Sequence, residues 1–451
     1  MHIKQPSYSL FTGKQSSALF ILCLIFFVSL LFFLETAEAQ LTSGLHNPVF
    51  GASGLAQGNA FTARANDASA IQFNPAGLTQ IKKSEISQGA NFVTPFAEYH
   101  GYGTSEDLDT MIHIIPDIYF ASPLIEDKLA AGIGITVPYG LEGKWKDDGF
   151  SRYVVTDYSL RIININPAIT YKPVPFLSVG AGLDYYYAES EIDKRINVDA
   201  INSSLTGDAT DNNAPDGSHS LDMDGDAFGY NIGMLCTITP RHSAGISFRS
   251  KADIDFDGKL RISGLRGASA DIFGLDTFRS RATTMATLPE MVTFGYAYNH
   301  DNRWSIEADV QWTNWSRFDI LEFDFKPTNA LLESNKEDIR NWHNVLGFAL
   351  GGEYKMNERL KVRGGYSFHE SPVPAETFEP SVPHSSRHGL FTGFGYDWGK
   401  GLNKGIDFAY GAVFYENREV DNSVGDAMQG PIDGHYDLIT HIVAVNFNYR
   451  F

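Results

Sequence analysis

The residues able to do chemistry are sparse and do not assemble into a reaction centre. The 451 residues contain no G-x-S-x-G nucleophile elbow, no H-E-x-x-H zinc helix, no C-x-x-C pair and no G-x-x-x-x-G-K-[ST] phosphate loop. The 13 histidines are scattered, and no two sit four apart on a predicted helix. Of the 2 cysteines, Cys23 lies in an N-terminal apolar run, so Cys236 is alone in the mature chain. A disulfide and a cysteine metal cage are both excluded there. Residues 196–227 hold seven Asp and no Lys, Arg or Glu. Asp222, Asp224 and Asp226 suggest Ca²⁺, but Ala227 stands where the D-x-[DN]-x-[DN]-G pattern needs glycine, and a solvated surface loop is expected instead. Asn74-Pro75-Ala76-Gly77 reads as a turn, with φ fixed by proline and freed by glycine. No catalytic residue, metal set or cofactor is assigned.

Composition narrows the class. Lys+Arg is 35 and Asp+Glu is 54, a net charge of −19, which does not suit a nucleic-acid partner. Aromatics at 13% and 42 glycines favour a sheet-rich protein. A mean hydropathy of −0.18 excludes a bundle of transmembrane helices but not a membrane barrel, whose strands average lipid-facing and lumen-facing positions. Residues 18–34 are an apolar run preceded by Lys4 and Lys14 and followed by Ala37-Glu38-Ala39. That layout predicts a secretory signal peptide over residues 1–39. An exported chain without a disulfide needs another source of stability, and a closed hydrogen-bonded barrel supplies one.

From residue 84 onward the hydrophobic period is two. Leu177, Val179, Ala181, Leu183, Tyr185 and Tyr187 share one face, as do Phe228, Tyr230, Ile232, Met234, Cys236 and Ile238. Runs of this kind extend for ~9–11 residues, the span of a tilted transmembrane strand. About fourteen occur, joined alternately by tight turns such as Pro240-Arg241 and by long connections such as 140–152, 196–227 and 261–287. The expectation is an all-β membrane protein, an antiparallel barrel of about fourteen strands over residues 84–451, in the outer membrane of a Gram-negative bacterium, with its long loops outside. The last strand places Val443, Val445, Phe447, Tyr449 and Phe451 on one face. A C-terminal aromatic there resembles the signal read by the barrel-assembly machinery.

Residues 40–83 differ, being rich in Ala, Gly and Asn and poor in charge. The stretch GLAQGNAFTARANDASAIQFNPAGLTQI resembles the N-terminal hatch of the FadL family of outer-membrane transporters. VPYGLEGKW at 137–145, LPEMVTFGYAY at 288–298 and RGGYSFHESPVPA at 363–375 follow in the family's order. The resemblance covers the mature chain. It implies a barrel plugged by a small helical hatch over residues 40–83. The cargo would be long-chain fatty acids or other hydrophobic molecules, held in a lumen pocket and released sideways into the membrane after a hatch rearrangement, without an energy source. It also implies contact with outer-membrane lipid and lipopolysaccharide, and we expect a monomer.

Site expectations follow from the resemblance. Asn74, Pro75, Ala76 and Gly77 match the hatch motif. Gly132 and Gly134 fall in the strand corresponding to the lateral exit, where glycine eases a kink. A fatty-acid carboxylate needs a basic partner, and Lys194, Arg195 and Arg340 border the long loops. Two rival classes remain open on sequence: an outer-membrane lipid hydrolase, and a structural or adhesive barrel.

Overall fold

A computed structural model describes residues 44–451 apart from 208–214, 275, 302, 329–331, 333–334 and 422–431. The expected signal peptide lies outside the described residues. Among those residues no helix is long and apolar enough to cross a membrane. Strands do the crossing. They are β1 (Glu85–Gly101), β2 (His113–Ile125), β3 (Leu129–Lys144), β4 (Asp157–Val174), β5 (Leu177–Ile196) and β6 (Gly217–Thr239). Four interrupted strands follow: β7 (His242–Arg249, then Ala252–Ser263), β8 (Thr277–Leu288, then Met291–His300), β9 (Trp304–Thr313, then Ile320–Lys326) and β10 (Asn335–Ile339, then Val345–Lys355). The last are β11 (Leu360–His369), β12 (Arg387–Trp398), β13 (Lys404–Tyr415) and β14 (Gly434–Arg450). Each pairs antiparallel with its neighbour, and β14 pairs with β1 from Glu85↔Arg450 to His100↔His435. The ring therefore closes at fourteen strands and leaves no open edge at its seam.

The alternation has a physical reason visible on β6. Its even-numbered residues face outward throughout. From Phe228 to Met234 they are apolar and exposed, Phe228 by 74%, as lipid contact requires. Above them the same face carries Asp222, Asp224 and Asp226, all exposed. The inner face inverts in step, from Asn231 and Gly233 at membrane depth to buried Leu221 and Met223 above it. The change between Asp226 and Phe228 marks where this face passes from lipid to water. Below lies a polar lumen; above rises a cup of sheet with an apolar interior and an acidic exterior.

That inversion corrects two expected loops. Residues 196–227 are not one loop, because a helix (Val198–Thr206) is followed by β6 from Gly217. The clustered aspartates are strand residues, with Asp222 opposite Glu191 and Asp224 opposite both Glu189 and Asp257. Among the described residues no group of three acidic, histidine or cysteine side chains is set to hold a metal. The loop expected at 261–287 is likewise shorter, since β7 runs to Ser263 and β8 starts at Thr277. Sequence reading missed these extensions because a strand with its apolar face inward breaks the lipid-facing pattern.

Residues 44–83 pack within the ring. A short helix (Ala52–Leu55) touches β12, β13 and β14. A second (Ala70–Phe73) touches β3 and β4, and a 3-10 turn (Pro75–Gln80) lies on β4, β5 and β6. The segment has a small apolar core of its own: Ile71 and Leu78 are fully buried among Ala65, Ala68, Tyr119 and Ala130.

Candidate functional site

A cavity of about 660 Å³ opens within the cup. Its walls are apolar side chains of the upturned inner faces, among them Tyr158 and Ile162 of β4, Leu221 and Met223 of β6, and Ile254 and Phe256 of β7. The volume lies within the ~300–1,000 Å³ typical of ligand pockets. Its polar lining is Lys194, His219, Lys336 and Arg340, with the carboxylates of Glu337, Asp338, Glu376 and Glu379.

The three sequence-predicted cations separate here. Lys194 at the end of β5 lines the cavity. Arg195, its neighbour, alternates away and binds Asp147 at 2.5 Å. Arg340 lines the cavity but already holds two carboxylates, Glu379 at 2.8 Å and Asp338. Burial alone raises the Glu379 pKa, but attraction to Arg340 and hydrogen bonds from Arg340 and Ser381 outweigh it, so the carboxyl titrates below its ordinary value. The pair ties β10 to the loop before β12, and Trp145 Nε1 donates to Pro380 O of that loop at 3.1 Å. Sequence reading missed Lys336 and His219. Lys336 is exposed at the end of an interrupted strand, and His219 lies in the segment expected to be loop.

Beneath the cavity the plug is held by buried polar contacts. Asp309 of β9 accepts from Phe61 N and Thr62 N, both at 3.1 Å. Arg64 Nε donates to Glu307 at 2.9 Å and Arg64 Nη1 to Ser305 Oγ at 2.7 Å. Glu307 is 0% exposed. Asn74 donates to Thr62 O at 2.8 Å and to Met234 O of β6 at 3.1 Å, while its Oδ1 accepts from Ala76 N at 3.1 Å. Pro75 O accepts from the Thr170 hydroxyl of β4. The turn is thus a dock onto the wall, and the wall provides for it. A Cβ on Gly233 or Gly180 would strike Asn74, Pro75 or Ala76. Gly77 is small because Ala65 presses against it.

The wall itself is broken between β2 and β3. Their ladder runs from Ile125↔Leu129 to Ile118↔Ile135 and stops. Beyond it β2 continues, paired only with β1, through His113↔Val93. β3 continues as well, paired with β4, after a register shift between Thr136 and Tyr139 that brackets Pro138. Gly132 and Gly134, expected to ease a kink, lie two residues or more before it, in regular ladder opposite Ala121 and Tyr119. Ile71 of the plug sits against both.

The edge that β3 thereby exposes is taken by the plug. Asn47 N donates to Pro138 O at 2.7 Å, Gly140 N donates to Leu45 O at 3.0 Å, and His46 bridges Tyr139. Residues 45–47 act as a stand-in strand where β2 has left. Residues 138–140 are buried, and an unpaired strand edge shielded from water is costly, so some segment must fill it.

The sequence profile described as outer membrane protein transport protein (OMPP1/FadL/TodX) matches residues 35–451. The chain belongs to this family. It is 26% identical over 438 residues to a long-chain fatty acid transport protein of Escherichia coli, covering 91% of this chain and 95% of that one. Among solved structures, a FadL homologue of Pseudomonas aeruginosa superposes with a TM-score of 0.80 at 19% identity, covering 91% of this chain and 100% of that one. The toluene transporter TbuX of Ralstonia pickettii gives 0.65 at 20% identity, covering 89% and 98%. These similarities establish a β-barrel of the Gram-negative outer membrane from a family of transporters of hydrophobic compounds rather than of enzymes.

Proposed function

We propose that this chain carries hydrophobic molecules passively across the outer membrane. Cargo is captured in the cup cavity, displaces the plug segment at 45–47, and leaves sideways between β2 and β3. The observation that carries the reading is Leu45. It is at once a wall of the cavity and, through its carbonyl, a partner of Gly140 in the gap. A molecule filling the cavity presses on the segment that closes the exit. Each buried CH₂ contributes about 0.8 kcal/mol, so an acyl chain has ample free energy to enter from dilute solution. Lys194 and Lys336 in the lining of the cavity favour an amphiphile with a carboxylate head over a plain hydrocarbon.

The test is a reversible lock. His46 and Tyr139 are bridge partners, so His46→Cys with Tyr139→Cys, in a Cys236→Ser background, pins the plug to β3. Cells carrying the oxidised protein should take up labelled palmitate no faster than a deletion strain, and a reductant should restore uptake. Unchanged uptake through the cross-linked protein would refute both hatch release and lateral exit.

A further inference from the structure

The gap has a second closure, made of side chains, on the β2 side. Above the last β2–β3 pair, the two strands have no ladder among the described residues. Prolines explain why. Pro138 interrupts β3 at the register shift. Pro116 of β2 pairs with Ala90 of β1. A proline lacks the N–H that a ladder needs and is tolerated only on an edge, so Pro116 makes the gap side of β2 an edge by design.

Hydrogen bonding nevertheless crosses the gap near its upper end. Asp109 N, in the segment leading into β2, donates to Lys144 O at the end of β3 at 2.9 Å. Just below, His113 Nδ1 and Glu142 Oε2 meet at 2.5 Å. His113 is the first residue of β2 and Glu142 sits near the end of β3, so the contact joins the diverging strands. His113 is almost fully buried, its side chain 2% exposed, and Glu142 is 23% exposed. A short contact to a carboxylate with one partner buried is the strong kind. It is also the kind that a passing molecule can part, because it rests on two side chains and not on a continuous ladder.

We propose that His113 and Glu142 form the latch of the lateral opening. They hold the free stretch of β2 against the kinked end of β3, independently of the plug strand at 45–47, and so set how often the opening is wide enough for cargo. They position the two strands and are not cargo-binding residues. The proposal rests on the lateral-exit reading above. It goes beyond that reading by naming a residue pair whose strength tunes the rate.

The experiment compares initial palmitate uptake by cells carrying the wild-type protein, Glu142→Gln, His113→Phe and the double variant, each normalised to the amount of heat-modifiable, folded barrel. Removing one hydrogen-bonded charged partner changes an open-to-closed ratio by roughly 5- to 30-fold, so each single variant should take up palmitate faster by up to that factor. The double variant should match the faster single variant, because both remove one shared contact. A merely structural role would lower the folded fraction and leave uptake per folded barrel unchanged. Wild-type or reduced uptake per folded barrel in the single variants, or gains that multiply in the double variant, would overturn the latch. If the His46–Tyr139 lock stops uptake while these variants behave as wild type, the latch fails and the lateral exit stands. If the lock has no effect, the exit itself fails.

Discussion

Breaking the Arg64–Glu307 pair should free the plug and leave the barrel standing. Both side chains are buried, Arg64 at 6% and Glu307 at 0% exposure. Arg64→Met removes the guanidinium and its bonds to Glu307 and Ser305, leaving a carboxylate that keeps Ala63 N and faces the neighbouring carboxyl of Asp309. Breaking one side of a buried ion pair costs about 3–5 kcal/mol, because the remaining charge stays desolvated. At about 1.4 kcal/mol per decade, local release of the plug should become roughly 100- to 3,000-fold more frequent. The fourteen-stranded ladder does not pass through Arg64, so heat-modifiability on gels should be unchanged. Hydrogen exchange read by mass spectrometry on peptides from residues 44–83 should report the loss of protection. The double variant Arg64→Met with Glu307→Leu should recover much of it, since replacing both charges by apolar groups removes the desolvation cost. If peptides of the single variant exchange as slowly as wild type, the pair does not hold the plug and the reasoning fails.

Other consequences are as direct. Gly233→Val pushes a side chain into the Asn74-Pro75 dock, an overpacking worth about 1–3 kcal/mol, and should loosen the same peptides while Phe228–Met234 stay protected. Asn74→Ala with Pro75→Gly removes the dock from the plug side and should impair uptake without blocking barrel assembly; wild-type uptake would leave the turn with packing alone as its role. Lys194→Met with Lys336→Met should weaken palmitate binding to the purified protein several-fold and leave a neutral hydrocarbon unaffected, read by competition with a fluorescent probe. The Arg340–Glu379 pair has a defined pH window. Because the folded Glu379 carboxyl titrates below its ordinary value, the pair stabilises the loop above the unfolded pKa of about 4.3 and loses that contribution as pH falls through the lower, folded one. Trp145, bonded to Pro380 in that loop, should report the release as a fluorescence change in acid that Arg340→Met abolishes, because no pair remains to break.

The parts of the molecule legible in sequence are those set by periodic contact with lipid. A strand at membrane depth must place an apolar side chain outward at every second position, and Phe228, Tyr230, Ile232 and Met234 declare this without reference to any partner. The strand number and the membrane follow from counting such runs. The hatch turn was legible for another reason: Asn74-Pro75-Ala76-Gly77 folds locally, even though the room for it is made by Gly180 and Gly233 on two distant strands. The gap left a mark that was not read, in Pro116 and Pro138, because each proline alone is also an ordinary edge residue.

What the chain alone left open depends on register and on the inside of the cup. Arg195 and Lys194 are adjacent and chemically alike, yet one reaches Asp147 and the other lines the cavity, since neighbours on a strand face opposite ways. Arg340 carries a charge that Asp338 and Glu379 have already claimed, and Glu379 arrives from a loop 39 residues away. Asp222, Asp224 and Asp226 looked like a loop because their strand had crossed from lipid into water, where the outer face is free to be acidic. Local sequence therefore determined that the chain is a membrane barrel, and the family resemblance implied the plug. Which charges meet, where the wall opens and what closes it were decided by the closed sheet, because each of those is a contact between strands far apart in the chain.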